Sequence, residues 1–266
     1  EYDAVLIAIG ATVGARLPME GNDLEGVLTN IEFLRAAAKG EPTGMGKHVI
    51  VLGGGNVAYD CSRTAVRLGA ESVYMACLEN SDTMPADMEE REQGAEEGIV
   101  MDPAQTFERI NGEGHCESVT FSRIKNFYFD ENRRPVIEKE EGSEHTVECD
   151  TVIFATGQHP DIGEDSGIEM FRGSYPVAKD GLMSSVNGVF VAGDCTYGTK
   201  SVIMAIQSGR EAASQIDKFL GGDGDISETL IPRVEGDPYI GTYENFGYSE
   251  RRKNEILPAD KRKDNF

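Results

Sequence analysis

One short glycine-rich segment has the residue types and spacing of a phosphate-binding turn. The letters G-G-G-N-V-A at residues 53–58 follow an apolar run and precede a stretch with helical spacing. In a G-x-G-x-x-A turn, Gly53 would allow the tight bend, Gly55 would let a diphosphate approach the backbone, and Ala58 would let helix and strand pack closely. The helix start supplies free N–H groups and partial positive charge. The predicted coenzyme contacts are Gly53, Gly55, Asn56, Val57 and Ala58.

The segments around this turn predict the strands and the helix that must position it. Short runs rich in valine and isoleucine occur at residues 4–9, 48–52, 72–77, 151–155 and 188–192. Runs of this kind are typical of strands buried on both faces of a parallel sheet. A helix over residues 56–68 joins the second and third runs, which completes a strand, turn, helix and strand unit. That context favours nucleotide binding over an ordinary glycine turn.

An acidic residue follows the third run at the distance that nucleotide-binding units use for ribose recognition. Glu79 lies about 20 residues beyond the glycine turn, where a carboxylate receives the adenosine ribose hydroxyls of NAD. NADP instead needs cationic side chains for its 2′-phosphate, and residues 77–80 contain none. We therefore expect NADH or NADPH as the coenzyme, with NADH favoured. Glu79 is expected to bind the hydroxyls of the adenosine ribose. The alternative is that Glu79 is a solvated surface acid.

A second carboxylate lies just beyond the last apolar run. The strand predicted over residues 188–192 leads to Asp194, and a helix with apolar residues at helical spacing is predicted over residues 201–219. A carboxylate at a strand end can accept hydrogen bonds from a ribityl chain, and a helix start can stabilise negative charge on a reduced flavin. Taken alone, this segment is compatible with any strand, loop and helix.

Length and composition limit the remaining classes of function. The 266 residues are enough for two compact units, and no apolar stretch approaches the roughly 20 residues that a membrane span needs. A net charge of -22 makes nucleic acid and anionic lipid poor partners. The five cysteines lack any C-x-x-C spacing, so we predict neither disulfides nor a metal site and expect a cytoplasmic protein. Thioredoxin-reductase-like chemistry, which needs a close cysteine pair, is disfavoured.

The organisation expected is an α/β architecture of two dinucleotide-binding, Rossmann-like domains. A surface helix over residues 30–39 links the two, residues 104–149 have the alternation of a small antiparallel meander, and the acidic run at residues 88–97 indicates a solvated helix face. The expected segments are the end of a first FAD-domain segment with its linker at 1–44, a complete NAD(P)-binding domain at 45–157, a second part of the FAD domain at 158–220, and an extended tail at 221–266.

Several ordered motifs together resemble those of the glutamate synthase small-subunit-like family. They are residues 2–11, residues 53–69, Met84-Pro85-Ala86, Ala155-Thr156-Gly157, and Gly193-Asp194 with Gly209-Arg210. This family comprises FAD and NAD(P)H oxidoreductases related to the N-terminal half of dihydropyrimidine dehydrogenase. The resemblance extends over roughly residues 1–220, and the combination of motifs is far more specific than any one of them.

The resemblance implies an FAD domain that is interrupted by an inserted nucleotide domain. Hydride would pass from the nicotinamide to FAD, and electrons would leave through iron–sulfur clusters outside this chain, in a redox partner subunit or domain. No acid or base catalyst is implied, because orientation and electrostatics suffice for hydride transfer. The residues that would hold FAD are Gly193, Asp194, Ser201 and Val202, and those that would form a linker turn at the domain junction are Ala155, Thr156 and Gly157.

Two departures from the family pattern refine these expectations. Leu78 and Glu79 stand where NADPH-using relatives tend to carry an arginine pair, which again favours NADH. The family's first FAD-binding glycine turn and its N-terminal cysteine clusters have no counterpart in the sequence. We therefore expect a fragment that needs a further N-terminal FAD-domain segment and that retains FAD weakly or not at all. The alternative function is a regulatory module that binds NAD(H) without turnover.

Overall fold

The computed structural model describes residues 2–131, 135–171, 173–227 and 254–264. The strands are β1 Val5–Ile7, β2 Val13–Gly14, β3 Val27–Thr29, β4 His48–Leu52, β5 Ser72–Ala76, β6 Val100–Asp102, β7 Gln105–Asn111, β8 Ser118–Phe129, β9 Pro135–Lys139, β10 His145–Glu148, β11 Thr151–Phe154, β12 Gln158–His159, β13 Met170–Phe171, β14 Tyr175–Pro176 and β15 Val189–Val191. The helices are α1 Asn30–Lys39, α2 Asn56–Arg67, α3 Met88–Glu96, α4 Asp194–Tyr197, α5 Val202–Phe219 and α6 Ala259–Lys263, with single 3-10 turns at Glu164–Ser166 and Asp180–Leu182.

A parallel sheet forms the centre of the nucleotide-binding half. Its strand order is β3, β11, β4, β5 and β6. The middle strand is β4, whose Leu52 is paired with Phe154 of β11 on one side and with Ala76 of β5 on the other. This order, with the glycine turn after the middle strand, is that of a doubly wound nucleotide-binding sheet. The predicted α/β, Rossmann-like fold class is confirmed.

Both faces of this sheet are covered, which explains why its strands read as continuous apolar runs. One face packs against α1 and α2, where Phe33, Tyr59 and Met75 belong to one buried cluster. The other face packs against the meander, where Phe121 and Phe154 belong to a second cluster. The sheet is therefore rigid at the end where the glycine turn leaves it.

The segment before β4 differs from the linker and surface helix expected from the sequence. Val27–Thr29 is an edge strand of the parallel sheet, and α1 starts directly after it. Thr29 and Glu32 form a capping box, in which each side chain accepts a hydrogen bond from the backbone N–H of the other residue. This sharp start directs Phe33 onto the sheet, where it is fully buried. The helix was predicted with the bounds that α1 has, and its outer face is exposed, but it packs against the sheet and does not link two units.

The antiparallel meander lies beneath the sheet and contains the long strand β8. One edge of β8 pairs with β7, and the other edge pairs with β10 and then with β9. Phe121 of β8 lies edge-on to Phe107 of β7 and stacks on His145 of β10, so the apolar side of the meander is anchored by one aromatic ring. The meander expected between residues 104 and 149 is confirmed.

The acidic run over residues 88–97 is not exposed to solvent along its whole length. Its last residue, Glu97, directly follows α3 and has a fully buried carboxylate. It pairs with Arg63 at 2.9 Å, with Arg67 at 3.0 Å and with Arg262 at 3.0 Å. The first two arginines project from α2, and Arg262 lies in α6 near the end of the chain. The solvated reading of Glu97 was wrong, because three cations from other elements bury and neutralise it. Within the expected tail, residues 228–253 lie outside the described residues.

The remaining elements build the smaller, second half of the structure. β1 and β15 are parallel, with Val5 opposite Val189, and the short strands β2 and β12 pair antiparallel where the chain passes between the halves. In the ranges that the structure describes, no helix has the length and apolar character needed to span a membrane. Several large apolar side chains of this half are exposed to solvent, namely Val5, Leu6, Ile9, Val202, Ile203 and Ile206.

Candidate dinucleotide-binding site

The glycine turn leaves the carboxyl end of β4 and bends tightly at Gly53. Its φ is 150°, and its N–H donates to the carbonyl of Ala76 on the neighbouring strand at 2.8 Å. A methyl group at Gly53 would lie 2.5 Å from the carbonyl oxygen of Ala155, which follows β11. Only glycine therefore lets the turn pack between the ends of these strands.

Gly55 differs from Gly53, because its surroundings are open. A methyl group at Gly55 would meet no atom within 4 Å in the described part of the chain, and its φ of -93° is ordinary for any residue. Gly55 is also the N-cap of α2 and offers no side-chain cap. Among the described residues, no protein acceptor receives the N–H groups of the four residues from Gly54 to Val57. Free donors beside open space at a helix start are suited to an anionic diphosphate.

Asn56 uses its side chain to hold the segment that follows β5. Its Nδ2 donates to Asp87 Oδ2 at 2.8 Å, and its Oδ1 accepts from Asp87 N at 2.8 Å. The N–H of Ala86 donates to Gly54 O at 3.1 Å, and Met84 packs against Gly54. The backbone N–H of Asn56 has no acceptor among the described residues, while its side-chain amide fixes a neighbouring loop.

Glu79 lies three residues beyond the end of β5 and is half-buried. Its carbonyl accepts from Ala104 N at 2.8 Å, and its carboxylate faces the Cys77 thiol. Burial and, after it, the charge of Glu79 together raise the pKa of Cys77 to about 12. The Cys77 sulfur in turn packs against Gly54. Glu79, the acid predicted to bind the ribose, is therefore separated from the glycine turn by the Cys77 side chain. Its contact with the ribose stays a prediction.

The turn Ala155-Thr156-Gly157 lies directly beside the glycine turn. The N–H of Ala155 donates to Leu52 O at 2.8 Å, and Gly157 O accepts from Ala15 N at 3.0 Å. The Thr156 hydroxyl is buried, and within the described ranges it has no hydrogen-bond partner. A buried hydroxyl without a partner is costly, so it is a candidate ligand contact at this junction.

In the second half, Gly193 and Asp194 follow β15, as expected. Gly193 has a φ of 75°, and its N–H donates to Ser208 Oγ at 2.6 Å, while Asp194 Oδ1 accepts from Lys200 N at 3.3 Å. The side chain of Ser201 caps α5 by accepting from Met204 N, and Val202 is 76% exposed. A cavity of about 200 Å³ is lined by Gly193, Asp194, Gly198, Lys200, Met204, Ala205, Gln207, Ser208 and Glu211.

Two residues of this region were missed by the sequence reasoning. Ser208 supports the Gly193 N–H from one helical face of α5, a role that no local motif marks. The Gln158 side chain accepts from Asn30 Nδ2 at 3.1 Å and donates to Thr199 Oγ1 at 3.0 Å. It therefore joins the start of α1 to the loop before α5. Its position beside the Ala155-Thr156-Gly157 turn is the only signal in the sequence that points to it.

The residues present fit two dinucleotides. Free N–H donors and open space at Gly55 suit a diphosphate, and Asp194 with the start of α5 lines a separate cavity in the second half. In the described ranges, no group of three or more His, Cys, Asp or Glu side chains is placed to bind a metal ion. The sheet, its glycine turn and the second half together define the fold class of two-dinucleotide flavoprotein oxidoreductases.

The chain belongs to the pyridine nucleotide-disulphide oxidoreductase family, which residues 1–210 match. Its relatives include the NADPH-Fe(3+) oxidoreductase subunit beta of Geobacter sulfurreducens, which is 35% identical over 83% of this chain and 37% of that protein. The small chain of glutamate synthase [NADPH] from Escherichia coli is 33% identical over 83% of this chain and 51% of that protein. The resemblance to the glutamate synthase small-subunit-like family is thus confirmed.

A third relative is the NADP(+)-dependent formate dehydrogenase subunit beta of Moorella thermoacetica, which is 32% identical over 100% of this chain and 39% of that protein. The chain therefore spans only 37% to 51% of the length of these three relatives. Among solved structures, FprA of Mycobacterium tuberculosis in complex with NADPH superimposes with a TM-score of 0.66 at 17% identity, covering 82% of this chain and 63% of FprA. Thioredoxin reductase of T. acidophilum gives 0.60 at 20% identity, over 81% and 65% of the two chains.

Proposed function

We propose that this chain is a pyridine-nucleotide:flavin oxidoreductase module. It takes hydride from NADH or NADPH, passes it to FAD, and delivers electrons to iron–sulfur centres in a partner outside the chain. Family membership and the names of its relatives support an FAD-dependent, NAD(P)H-linked redox role. The observation on which this proposal rests is the set of free backbone N–H groups beside open space at Gly55.

The chain's own residues contribute binding and orientation. The amides from Gly54 to Val57 hold the coenzyme diphosphate, and Gly53 and Ala58 keep the turn, strand and helix close enough to form the cradle. Bound FAD would supply the acceptor for the nicotinamide hydride. Gly193 and Asp194 would hold FAD, and Ser201 and Val202 would contribute to its site from the start of α5.

We further propose that NADH is preferred over NADPH. The carboxylate of Glu79 lies beside Cys77 and so next to the glycine turn, where it can accept the ribose hydroxyls and repel a 2′-phosphate. Several relatives carry NADPH or NADP(+) in their names, so this chain would differ from them at that position.

A partner surface is also part of the proposal. Relatives of this chain are named as subunits or chains of larger enzymes. The exposed apolar side chains of β1 and the start of α5, such as Leu6 and Ile203, support a covering FAD-domain segment or redox partner with iron–sulfur clusters. Without that cover, we expect weak FAD retention. The described cysteines are all free thiols, which fits a cytoplasmic location.

The test is equilibrium binding of NADH to the purified chain, followed by nicotinamide fluorescence. Val at position 55 keeps an allowed backbone but fills the open space, so Gly55→Val should weaken NADH binding by about 100-fold or more, a loss of about 3 kcal/mol. Gly163→Val is the matched control, since Gly163 also has open surroundings and no positive φ but lies in the other half. Wild-type affinity in Gly55→Val would overturn the proposal.

An activity measurement distinguishes the proposed oxidoreductase from the alternative, a regulatory module without turnover. In protein loaded with FAD, NADH-driven ferricyanide reduction is expected, and Gly55→Val should abolish it. NADH binding without any such reduction would favour the regulatory module instead.

A further inference from the structure

Two cysteines that are distant in the sequence meet beneath the parallel sheet. Cys116 precedes β8, and Cys149 lies between β10 and β11. Both are buried in the cluster between the sheet and the meander, and each thiol is the largest influence on the pKa of the other. The sequence predicted no close cysteine pair, because only tertiary structure brings these two together.

The backbone on both sides of this pair is held in place. Cys149 N donates to Glu117 O at 2.9 Å, and Cys116 N donates to Glu25 O at 2.9 Å. A methyl group at Gly26 would lie 2.8 Å from the Cys116 sulfur and 2.6 Å from the carbonyl oxygen of Asp150. The Cys116 sulfur and the backbone next to Cys149 therefore both lie close to Gly26. The two cysteines therefore lie on neighbouring segments whose backbones are fixed, as an intramolecular disulfide requires.

The two thiols also differ in their ionisation. The neighbouring Cys149 thiol lowers the pKa of Cys116, while the Cys116 thiol and burial raise the pKa of Cys149. By contrast, burial and the charge of Asp60 raise the pKa of Cys61. Cys116 is therefore the member of the pair that forms the thiolate, the nucleophilic form of cysteine, more readily.

We propose that Cys116 and Cys149 are a redox-sensitive dithiol that hydrogen peroxide converts into an intramolecular disulfide. One sulfur attacks peroxide, the O–O bond breaks, water leaves, and that sulfur becomes a sulfenic acid. The second sulfur attacks the first, the S–S bond forms, and a second water leaves. Two thiols and one peroxide thus give one disulfide and two waters, and a small dithiol reductant reverses the change.

This dithiol is separate from the proposed coenzyme sites. Next to Cys149, the Asp150 carboxylate accepts from Lys47 N at 2.7 Å and from His48 N at 3.1 Å, which places the pair at the amino end of β4. The glycine turn leaves the opposite end of this five-residue strand, about 17 Å away. The cysteine pair therefore lies at the end of the sheet opposite the glycine turn. The proposed oxidation of this pair does not depend on the proposed function.

The test is disulfide mapping of the whole purified chain after reduction, desalting and exposure to excess hydrogen peroxide. Trypsin places each of the five cysteines on its own peptide, with Cys116 in residues 110–123 and Cys149 in residues 140–172. We expect these two peptides to be linked, to separate on reduction, and the thiol count in denaturant to fall by two. Unlinked peptides, or links that join different molecules, would overturn the proposal.

Variants provide the second readout. In Cys116→Ser and Cys149→Ser the linked peptide should disappear, whereas Cys61→Ala, which removes another buried thiol, should leave its yield unchanged. The oxidised wild-type chain should also unfold at a higher Tm than the reduced chain, because the bridge constrains the unfolded state. An equal Tm for oxidised and reduced wild type, with the link formed, would contradict the preformed geometry on which the proposal rests.

Discussion

Asn56 and Asp87 form a reciprocal pair across the mouth of the glycine turn. The amide of Asn56 donates to the Asp87 carboxylate and accepts from the Asp87 backbone N–H, both at 2.8 Å. The first residue of α2 and the N-cap of α3 are thereby tied together. The loop from Met84 to Asp87 consequently lies against the glycine turn, held by the Asn56 side chain together with the bond from Ala86 N to Gly54 O.

Asn56→Ala should weaken NADH binding while leaving the fold intact. The substitution keeps the backbone N–H of residue 56 but removes both hydrogen bonds to Asp87, so the loop keeps only its bond from Ala86 N to Gly54 O and the packing of Met84 on Gly54. Two such bonds are together worth about 1 to 2 kcal/mol, which predicts a Kd about 5- to 30-fold higher in a fluorescence titration.

Asp87→Ala tests the same pair of residues from the other side. It removes only the side-chain bond, because the Asp87 backbone N–H still donates to Asn56. Its effect on the Kd should therefore be about half as large in free energy, and the double variant should lose no more than Asn56→Ala alone. Additive losses would show that the two residues act independently.

Gly53→Ala should destabilise the fold, in contrast to changes at Gly55. A methyl group at residue 53 meets the Ala155 carbonyl oxygen at 2.5 Å in a backbone with φ of 150°. We expect a loss of about 3 kcal/mol in the free energy of unfolding, measured with urea. Gly55→Ala, which meets open space, should cost about 1 kcal/mol or less. Equal stability of the two variants would contradict the packing described for the turn.

Glu97→Gln should remove part of the acid sensitivity of the fold. Burial would raise the pKa of Glu97, but hydrogen bonds and charges of Arg63 and Arg67 outweigh it and hold the pKa below the usual 4.5. A lowered folded-state pKa gives stability that is present above about pH 4.5 and is lost as the pH falls through the folded value. The variant should therefore be less stable at pH 7, by about 3 kcal/mol, with a smaller difference near pH 3.

The measurement is urea unfolding of both proteins at the two pH values. Glu92→Gln is the control, because Glu92 lies on the same helix but is exposed, and it should change stability by less than about 0.5 kcal/mol at either pH. The same loss for Glu97→Gln at both pH values would argue against ionisation as the source of its contribution.

Glu79→Arg should shift the coenzyme preference towards NADPH. The wild-type chain is expected to bind NADH more tightly, because a carboxylate beside the ribose repels the 2′-phosphate. An arginine there should raise the NADPH to NADH affinity ratio by about 10-fold or more, through a charge-assisted contact. Glu71→Arg, at the amino end of β5, makes the same charge change far from the turn and should leave the ratio unchanged. A wild-type preference for NADPH would overturn the role given to Glu79.

Sequence reasoning succeeded where the signal is local. The strand before Gly53, the helix after it and the strand over residues 72–76 follow from apolar runs, a glycine turn and helical spacing. It failed where the determining contact is distant. Phe33 is buried because β3 joins the sheet beside β11, and Glu97 is buried because three arginines, one from near the end of the chain, surround it. No local pattern marks either contact.

By itself, the sequence determined the class of the fold and the position of the glycine turn between β4 and α2, because glycine spacing and strand periodicity act over a few neighbouring residues. Tertiary structure decided which side chains meet. It placed the Asn56 amide on Asp87 and left only its backbone for a ligand, put Gln158 between two halves of the chain, and brought Cys116 and Cys149 into one buried cluster. Such contacts depend on how strands far apart in the chain are ordered in a sheet, which short-range spacing does not encode.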